Sequence, residues 1–164
     1  MNKFFKSIFI LVTLFVFSSC GIGLIVRSSA KKNISPDKGT VPPSFISKNA
    51  TLLILVWDTD AGFNKFSKKA FNKFYSGNKE FVTFKEFMSN EKYKNLEKYP
   101  FIFNQGPGDK KIYEGNGYEF TYRGGRPFHI YDRRENKFYN SKSNSGFYSR
   151  IIQAYAMKLD DYIK

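Results

Sequence analysis

Residues 51–57 read TLLILVW and form a short continuous apolar run that ends at Asp58. A run of this length, rich in branched side chains, predicts a strand that is buried on both faces. Strands of this kind belong to sheets that helices cover, so the run places the chain among α/β or α+β proteins.

Helical and extended patterns alternate after this run. Three segments carry apolar residues at helical spacing and predict amphipathic helices: 63–75, 84–96 and 148–163. Thr83 and Glu86 form a capping-box pattern before the second of these helices, and Leu96 falls on its apolar side. Short apolar or alternating segments predict the remaining strands: 81–82, 101–103, 118–122, 127–131 and 137–139.

We therefore expect one globular domain over 51–164, with a mixed sheet of about five strands and three helices. The succession of elements loosely resembles a thioredoxin-like topology. Cys20 is the only cysteine, so no CxxC motif is present, and thiol–disulfide chemistry is excluded. One cysteine and one histidine also exclude a multi-cysteine zinc site, and we expect neither a cofactor nor a metal.

The N-terminus has the order of a secretory signal peptide. Lys3 and Lys6 precede an apolar run over 7–17, and two serines then precede Cys20. A basic start, an apolar centre and small residues at the end predict an export signal that is not part of the fold.

The stretch Phe17-Ser18-Ser19-Cys20 resembles the lipobox of bacterial lipoproteins. The resemblance implies that residues 1–19 are removed and that Cys20, acylated with chains such as palmitate, becomes the mature N-terminus. The domain would then lie outside the cytoplasm, anchored by lipid to a membrane of the cell envelope. Residues 20–50 are rich in Ser, Lys, Pro and Gly, which predicts a lipid-anchored flexible tether.

Two other interpretations of the N-terminus stay open. The segment Ser7–Val26 is largely apolar and about long enough to cross a bilayer as an uncleaved helix. Alternatively, Cys20 is incidental and the domain is simply secreted. All three interpretations export the domain from the cytoplasm.

Asp58 and Asp60 directly follow the first buried strand, where ligands of open α/β sheets bind. The stretch Ile54–Asp60 resembles the first motif of haloacid-dehalogenase-type phosphatases. The resemblance implies a metal-dependent hydrolase of phosphate esters, with Asp58 as nucleophile, Asp60 as acid/base and a Mg²⁺ ion. The alternative is that the two carboxylates form a polar turn and cap the helix that begins near Ala61.

A second candidate site is basic and aromatic. The chain has 27 basic residues against 14 acidic ones, and several arginines lie among tyrosines in and around the predicted strands 118–122, 127–131 and 137–139. We expect Arg123, Arg126, Tyr131, Arg133 and Arg134 to bind a ligand, because guanidinium forks and aromatic rings suit anions and sugars. The alternative is that the charge reflects composition and forms an ordinary solvated surface.

His129 lies near Asp132, and such a pair can act as a general base. No matched nucleophile accompanies it, which favours a structural histidine. The leading hypothesis is therefore a cell-envelope lipoprotein whose domain binds an anionic glycan or an envelope protein and catalyses nothing. Nucleic acid is not expected as a partner because the domain is exported.

Overall fold

The computed structural model describes residues 23–46, 50–105, 128–141 and 147–164. The helices and strands are, in chain order, α1 (23–33), β1 (Leu52–Val56), α2 (Ala61–Phe74), β2 (Lys79–Thr83), α3 (Phe84–Ser89), β3 (Phe101–Gln105), β4 (Phe128–Asp132), β5 (Lys137–Asn140) and α4 (Tyr148–Ile163). Short 3₁₀ turns occupy Pro36–Lys38, Pro43–Ile46 and Glu91–Lys94. The strand predicted at 118–122 lies outside the described residues.

The five strands form one mixed sheet in the order β2-β1-β3-β4-β5. Strand β1 pairs in parallel with both β2 and β3, whereas β3, β4 and β5 are joined in antiparallel fashion. The predicted mixed α/β domain with a five-stranded sheet is confirmed.

Helices cover both faces of the sheet. Alternate residues of β1, such as Leu52 and Ile54, pack against α2 and α4, while Leu53 and Leu55 pack against α3 and its neighbours. The crossover from β1 to β2 through α2 therefore lies on one face, and the crossover from β2 to β3 through α3 lies on the other. The sheet thus has a topological switch point between β1 and β3.

Helices α1, α2 and α4 lie side by side and run in one direction. Tyr148 at the start of α4 contacts Phe66 of α2 edge-on, with ring centroids 5.5 Å apart. Gly23 at the start of α1 lies against the side chain of Arg150 on α4. We call the end of the sheet where β1 and β3 finish the carboxyl edge. Because α2 follows β1, all three helices start at this edge.

Residues 23–46 correct the prediction of a flexible tether over 20–50. Ala30, Ile34, Val41 and Phe45 are each 3% exposed or less and belong to the same apolar cluster as β1. The ring of Phe45 packs against that of Phe101 with centroids 4.9 Å apart. This part of the chain contributes to the core.

The second helix is shorter than its apolar pattern predicts. Thr83 caps α3 as expected, accepting a hydrogen bond from the backbone N–H of Glu86 at 3.1 Å. The helix ends at Ser89, because Asn90 turns the chain and its side chain accepts from the N–H of Lys92 at 3.1 Å. Leu96 is consequently 40% exposed, so the prediction that it faces inward is wrong.

Candidate functional site

The switch point between β1 and β3 is held by side-chain hydrogen bonds around Trp57. Its indole N–H donates to Oδ1 of Asn104 at 2.9 Å, and its ring stacks on that of Phe84. The amide of Asn64 clamps the Trp57 backbone, accepting from its N–H at 2.9 Å and donating to its carbonyl at 2.7 Å. The backbone of Trp57 is therefore fixed by Asn64, and its side chain is fixed by Asn104 and Phe84.

Asp60 performs a structural task at this edge. Its Oδ1 accepts a hydrogen bond at 2.8 Å from the backbone N–H of Phe63, which makes it the N-cap of α2. The helix-cap interpretation of Asp60 is confirmed. Asp58 is exposed, and no hydrogen bond from the described residues reaches its carboxylate. Across the described ranges, no group of three His, Cys, Asp or Glu residues is placed to hold a metal ion.

Polar side chains are also buried beside the switch point. Asn104 and Gln105, at the end of β3, are 0% and 3% exposed. The amide nitrogen of Asn104 and both amide atoms of Gln105 lack a hydrogen-bond partner among the residues that the structure describes. The sequence predicted a strand only over 101–103 and a loop after it, so neither amide was expected inside the sheet, and a lone amide carries no motif.

His129 is opposite Asn104 in the β3–β4 ladder and is 1% exposed. Burial lowers the pKa of its imidazole to about 3, so the ring is neutral at physiological pH. Asp132 lies further along β4, where its carboxylate accepts from Ser44 Oγ at 2.7 Å and from the Arg134 N–H at 2.9 Å. His129 and Asp132 are three positions apart on β4, so their side chains point to opposite faces of the sheet. They therefore do not form a catalytic pair.

Of the predicted arginine and tyrosine site, the structure describes only Tyr131, Arg133 and Arg134, and it does not bring these three side chains together. Tyr131 is 2% exposed, and its hydroxyl donates to Oδ1 of Asn136 within the hairpin. It is therefore a core residue, because its position on β4 directs its ring into the cluster around Leu53. Arg123 and Arg126 lie outside the described residues.

Arg133 and Arg134 point to opposite faces of the sheet. The Arg133 guanidinium donates to the carbonyl of Tyr99 at 2.8 Å and lies 5.2 Å from the centroid of Phe87. Arg134 lies 5.0 Å from the centroid of Phe101 and pairs with Asp132 at 3.7 Å. Both guanidinium groups contact the protein itself, so the described part of the predicted ligand set does not form one binding surface.

Helix α2 carries a basic surface that lies outside the predicted set of ligand-binding residues. Four exposed lysines lie on one side of it, within about two turns, and we call them the lysine face: Lys65, Lys68, Lys69 and Lys73. The helix contains no acidic residue. None of the four forms an ion pair with a described residue, whereas Lys92 pairs with Glu80 at 3.1 Å and Lys94 with Glu91 at 2.8 Å. The sequence signal that could have revealed this face is that no acidic residue lies four positions before or after any of these lysines.

Comparisons with protein-family models, with curated proteins and with solved structures find no match to this chain. Within the ranges that the structure describes, no helix has the length and apolar character needed to cross a membrane. The class that the fold defines is a mixed α/β domain with a topological switch point, and its function has to be inferred from its own surface.

Proposed function

We propose that the protein is a membrane-anchored, non-catalytic binding module of the cell envelope that holds an anionic glycan on the lysine face of α2. The observation that carries the proposal is the row of four exposed lysines with no acidic residue on the same helix. Uncompensated charges of one sign raise the local concentration of counter-ions and oppositely charged ligands.

The shape of the lysine face favours a polymer over a small anion. Lys65 and Lys73 are eight residues apart on one helix, which corresponds to about 12 Å along its axis. A row of charges of that length suits a chain with repeated anionic groups. A single phosphate would require donors that converge on one point.

The polar groups at the switch point support binding without catalysis. Asn64 is engaged by the backbone of Trp57, and Asp60 by the backbone of Phe63. His129 is neutral and buried. Groups engaged in this way stabilise the edge and are poor candidates for proton transfer. The anchoring part of the proposal is supported by the lipobox resemblance at residues 17–20.

The test is retention of the full chain on immobilised heparin, used as a sulfated glycan, in a salt gradient. In the test variant, Lys65, Lys68, Lys69 and Lys73 are changed to Gln. We expect its affinity to fall by roughly tenfold or more, because each exposed charge pair contributes a few tenths of a kcal/mol or more. Raising the salt concentration should weaken the binding of the wild type to heparin and reduce the difference in affinity between the wild type and the variant.

A matched control removes the same number of charges elsewhere. In the control variant, four other exposed lysines are changed to Gln: Lys85, Lys94, Lys98 and Lys137. This variant should elute close to the wild type. Equal losses in the two variants would mean that net charge alone drives retention, and the lysine face would then be rejected as a site.

One observation favours a second candidate function, a metal-dependent phosphate-ester hydrolase. Asp58 is exposed two residues after the end of β1, at the switch point where α/β sheets bind ligands. If Asp58 and Asp60 hold Mg²⁺, millimolar Mg²⁺ must raise the melting temperature of the native protein, and Asp58→Asn must abolish the rise. We expect no rise in either protein. A rise confined to the wild type would favour the hydrolase.

A further inference from the structure

Among the residues that the structure describes, most of the large exposed apolar side chains lie at the carboxyl edge. Leu24 and Ile25, in the first turn described for α1, are 50% and 69% exposed, and Phe147, directly before α4, is 48% exposed. The two helix starts are neighbours, because Gly23 lies against Arg150, whose backbone N–H donates to the carbonyl of Phe147 at 2.8 Å. Three large apolar side chains therefore surround one corner of the domain.

The chain that precedes this corner limits how far it can lie from a membrane. Cys20 is three residues before Gly23, and three residues span at most about 10 Å even when fully extended. Residues 23–46 are packed into the domain, so they add no spacer length. If the N-terminus is anchored, the corner at Gly23 must lie close to the lipid surface.

We propose that the domain docks on the lipid bilayer through its carboxyl edge, with Leu24, Ile25 and Phe147 inserted at the boundary between headgroups and acyl chains. The inference rests on the membrane anchoring in the proposed function. Half-buried Arg27 and Arg150 stand beside the apolar residues, where guanidinium groups can reach lipid phosphates. Exposed Asp58 lies on the same edge, and its negative charge opposes the attraction of the arginines to lipid phosphates. Insertion of the apolar side chains is therefore the main contribution to docking.

In this orientation the row of lysines on α2 runs outward from the membrane surface. Helix α2 begins at the carboxyl edge and runs towards the opposite end of the sheet. Lys65 is then nearest the lipid and Lys73 farthest from it. A glycan chain that rises from the surface could be held along the helix.

The experiment uses the full chain reconstituted in vesicles of phosphatidylcholine with a minority of phosphatidylglycerol. The Phe147→Trp variant carries a fluorescent reporter at the corner, and the Leu96→Trp variant carries one at a comparably exposed apolar position at the other end of the sheet. Trp57 is present in both proteins and is subtracted as the common background. With lipids brominated on the acyl chain, the reporter at the corner should lose about half or more of its added emission, and the reporter at the other end almost none.

Each outcome decides a different point. If the chain does not float with the vesicles, the anchoring fails and the docking fails with it. If the chain floats but the corner reporter is quenched no more than the distant one, the anchoring stands and the docking is overturned. Ile25→Trp provides a second reporter on α1, so a local disturbance at the start of α4 cannot decide the result alone.

Discussion

One carboxylate oxygen of Asp160 accepts hydrogen bonds from both the backbone N–H and the hydroxyl of Ser76, at 2.7 and 2.6 Å. These bonds connect the last turns of α4 to the chain that follows α2, 84 positions earlier in the sequence. The other oxygen pairs with Lys164 at 2.7 Å. Burial by itself raises the pKa of Asp160, but the hydrogen bonds from Lys164 and Ser76 outweigh it and hold the pKa below its usual range.

The hydrogen bonds and the ion pair of Asp160 predict that the protein loses stability in acid. A carboxyl whose pKa is lower in the folded state stabilises the protein above its unfolded pKa of about 3.9 and ceases to do so as pH falls through the folded value. Asp160→Asn should therefore lower the free energy of unfolding at pH 7 by about 1–3 kcal/mol and have little effect at the lowest pH at which the protein stays folded. Urea titrations across this pH range measure both values.

Asp161→Asn is the control for Asp160, since Asp161 is 47% exposed and its ion pairs with the described residues Lys31 and Lys158 lie at the surface. It should change stability by less than about 1 kcal/mol. Burial raises the pKa of Glu80, but hydrogen bonds from Tyr99, Lys92 and Tyr93 outweigh this effect and lower it, so Glu80 titrates in the same range in both variants. A difference between wild type and Asp160→Asn that does not change with pH would contradict the assignment.

The packing of residues 23–46 predicts that truncating Ile34 destabilises the whole domain. Ile34 is 1% exposed, and Ile34→Ala should cost about 2–5 kcal/mol, the usual loss for a buried isoleucine. Ile25→Ala removes the same atoms from a side chain that is 69% exposed and should be close to neutral in solution. Thermal or urea unfolding of the full chain measures the free energy of unfolding of the Ile34→Ala and Ile25→Ala variants. Equal stabilities would restore the interpretation of this segment as a tether.

Asp60 and Asp58 should respond differently to substitution. Asp60→Ala removes the cap of α2 and should destabilise the protein by about 0.5–2 kcal/mol. Asp58→Ala removes an exposed side chain without a described hydrogen bond and should lie within about 0.5 kcal/mol of wild type. Urea unfolding at neutral pH measures both differences. The assignment of Asp60 as cap would be wrong if Asp58→Ala proved the more damaging change.

The lone histidine gives the protein a second pH dependence. The pKa of His129 is about 3 in the folded state, against about 6.5 in an unfolded chain, so the unfolded state binds more protons between these values. Stability should therefore fall as pH drops below about 6.5, by up to about 1.4 kcal/mol per pH unit. His129→Gln should flatten this slope between about pH 5 and 6.5. The single imidazole signal in NMR should not titrate in that interval, and a midpoint near 6.5 in the folded protein would contradict the burial.

The sequence predicted best what depends on local periodicity. The apolar run before Trp57 became β1, and the spacing of Phe63 and Ala70 matched the buried side of α2. Both signals lie within a few residues and need no information about distant contacts. The capping role of Asp60 was predictable for the same reason.

The sequence was less informative about residues whose packing contacts are with residues far away in the chain. Ile34 and Val41 are separated by a proline and a glycine and show no period, so only their packing on the sheet reveals them as core residues. Arg133 and Arg134 are adjacent in sequence, which suggested a shared surface. Their guanidinium groups instead reach aromatic rings on opposite faces of the sheet.

The strand order also has a consequence for the rate of folding. Asp132 pairs with Lys137 across a tight turn, whereas Leu52 must find Phe101 after two intervening helices have been placed. Closing the short loop costs little chain entropy, and closing the long one costs more before any contact stabilises it. We therefore expect the β4–β5 hairpin to form early and the pairing of the central strands to limit the rate. Until then, the apolar surface of β1 is open to other nascent chains.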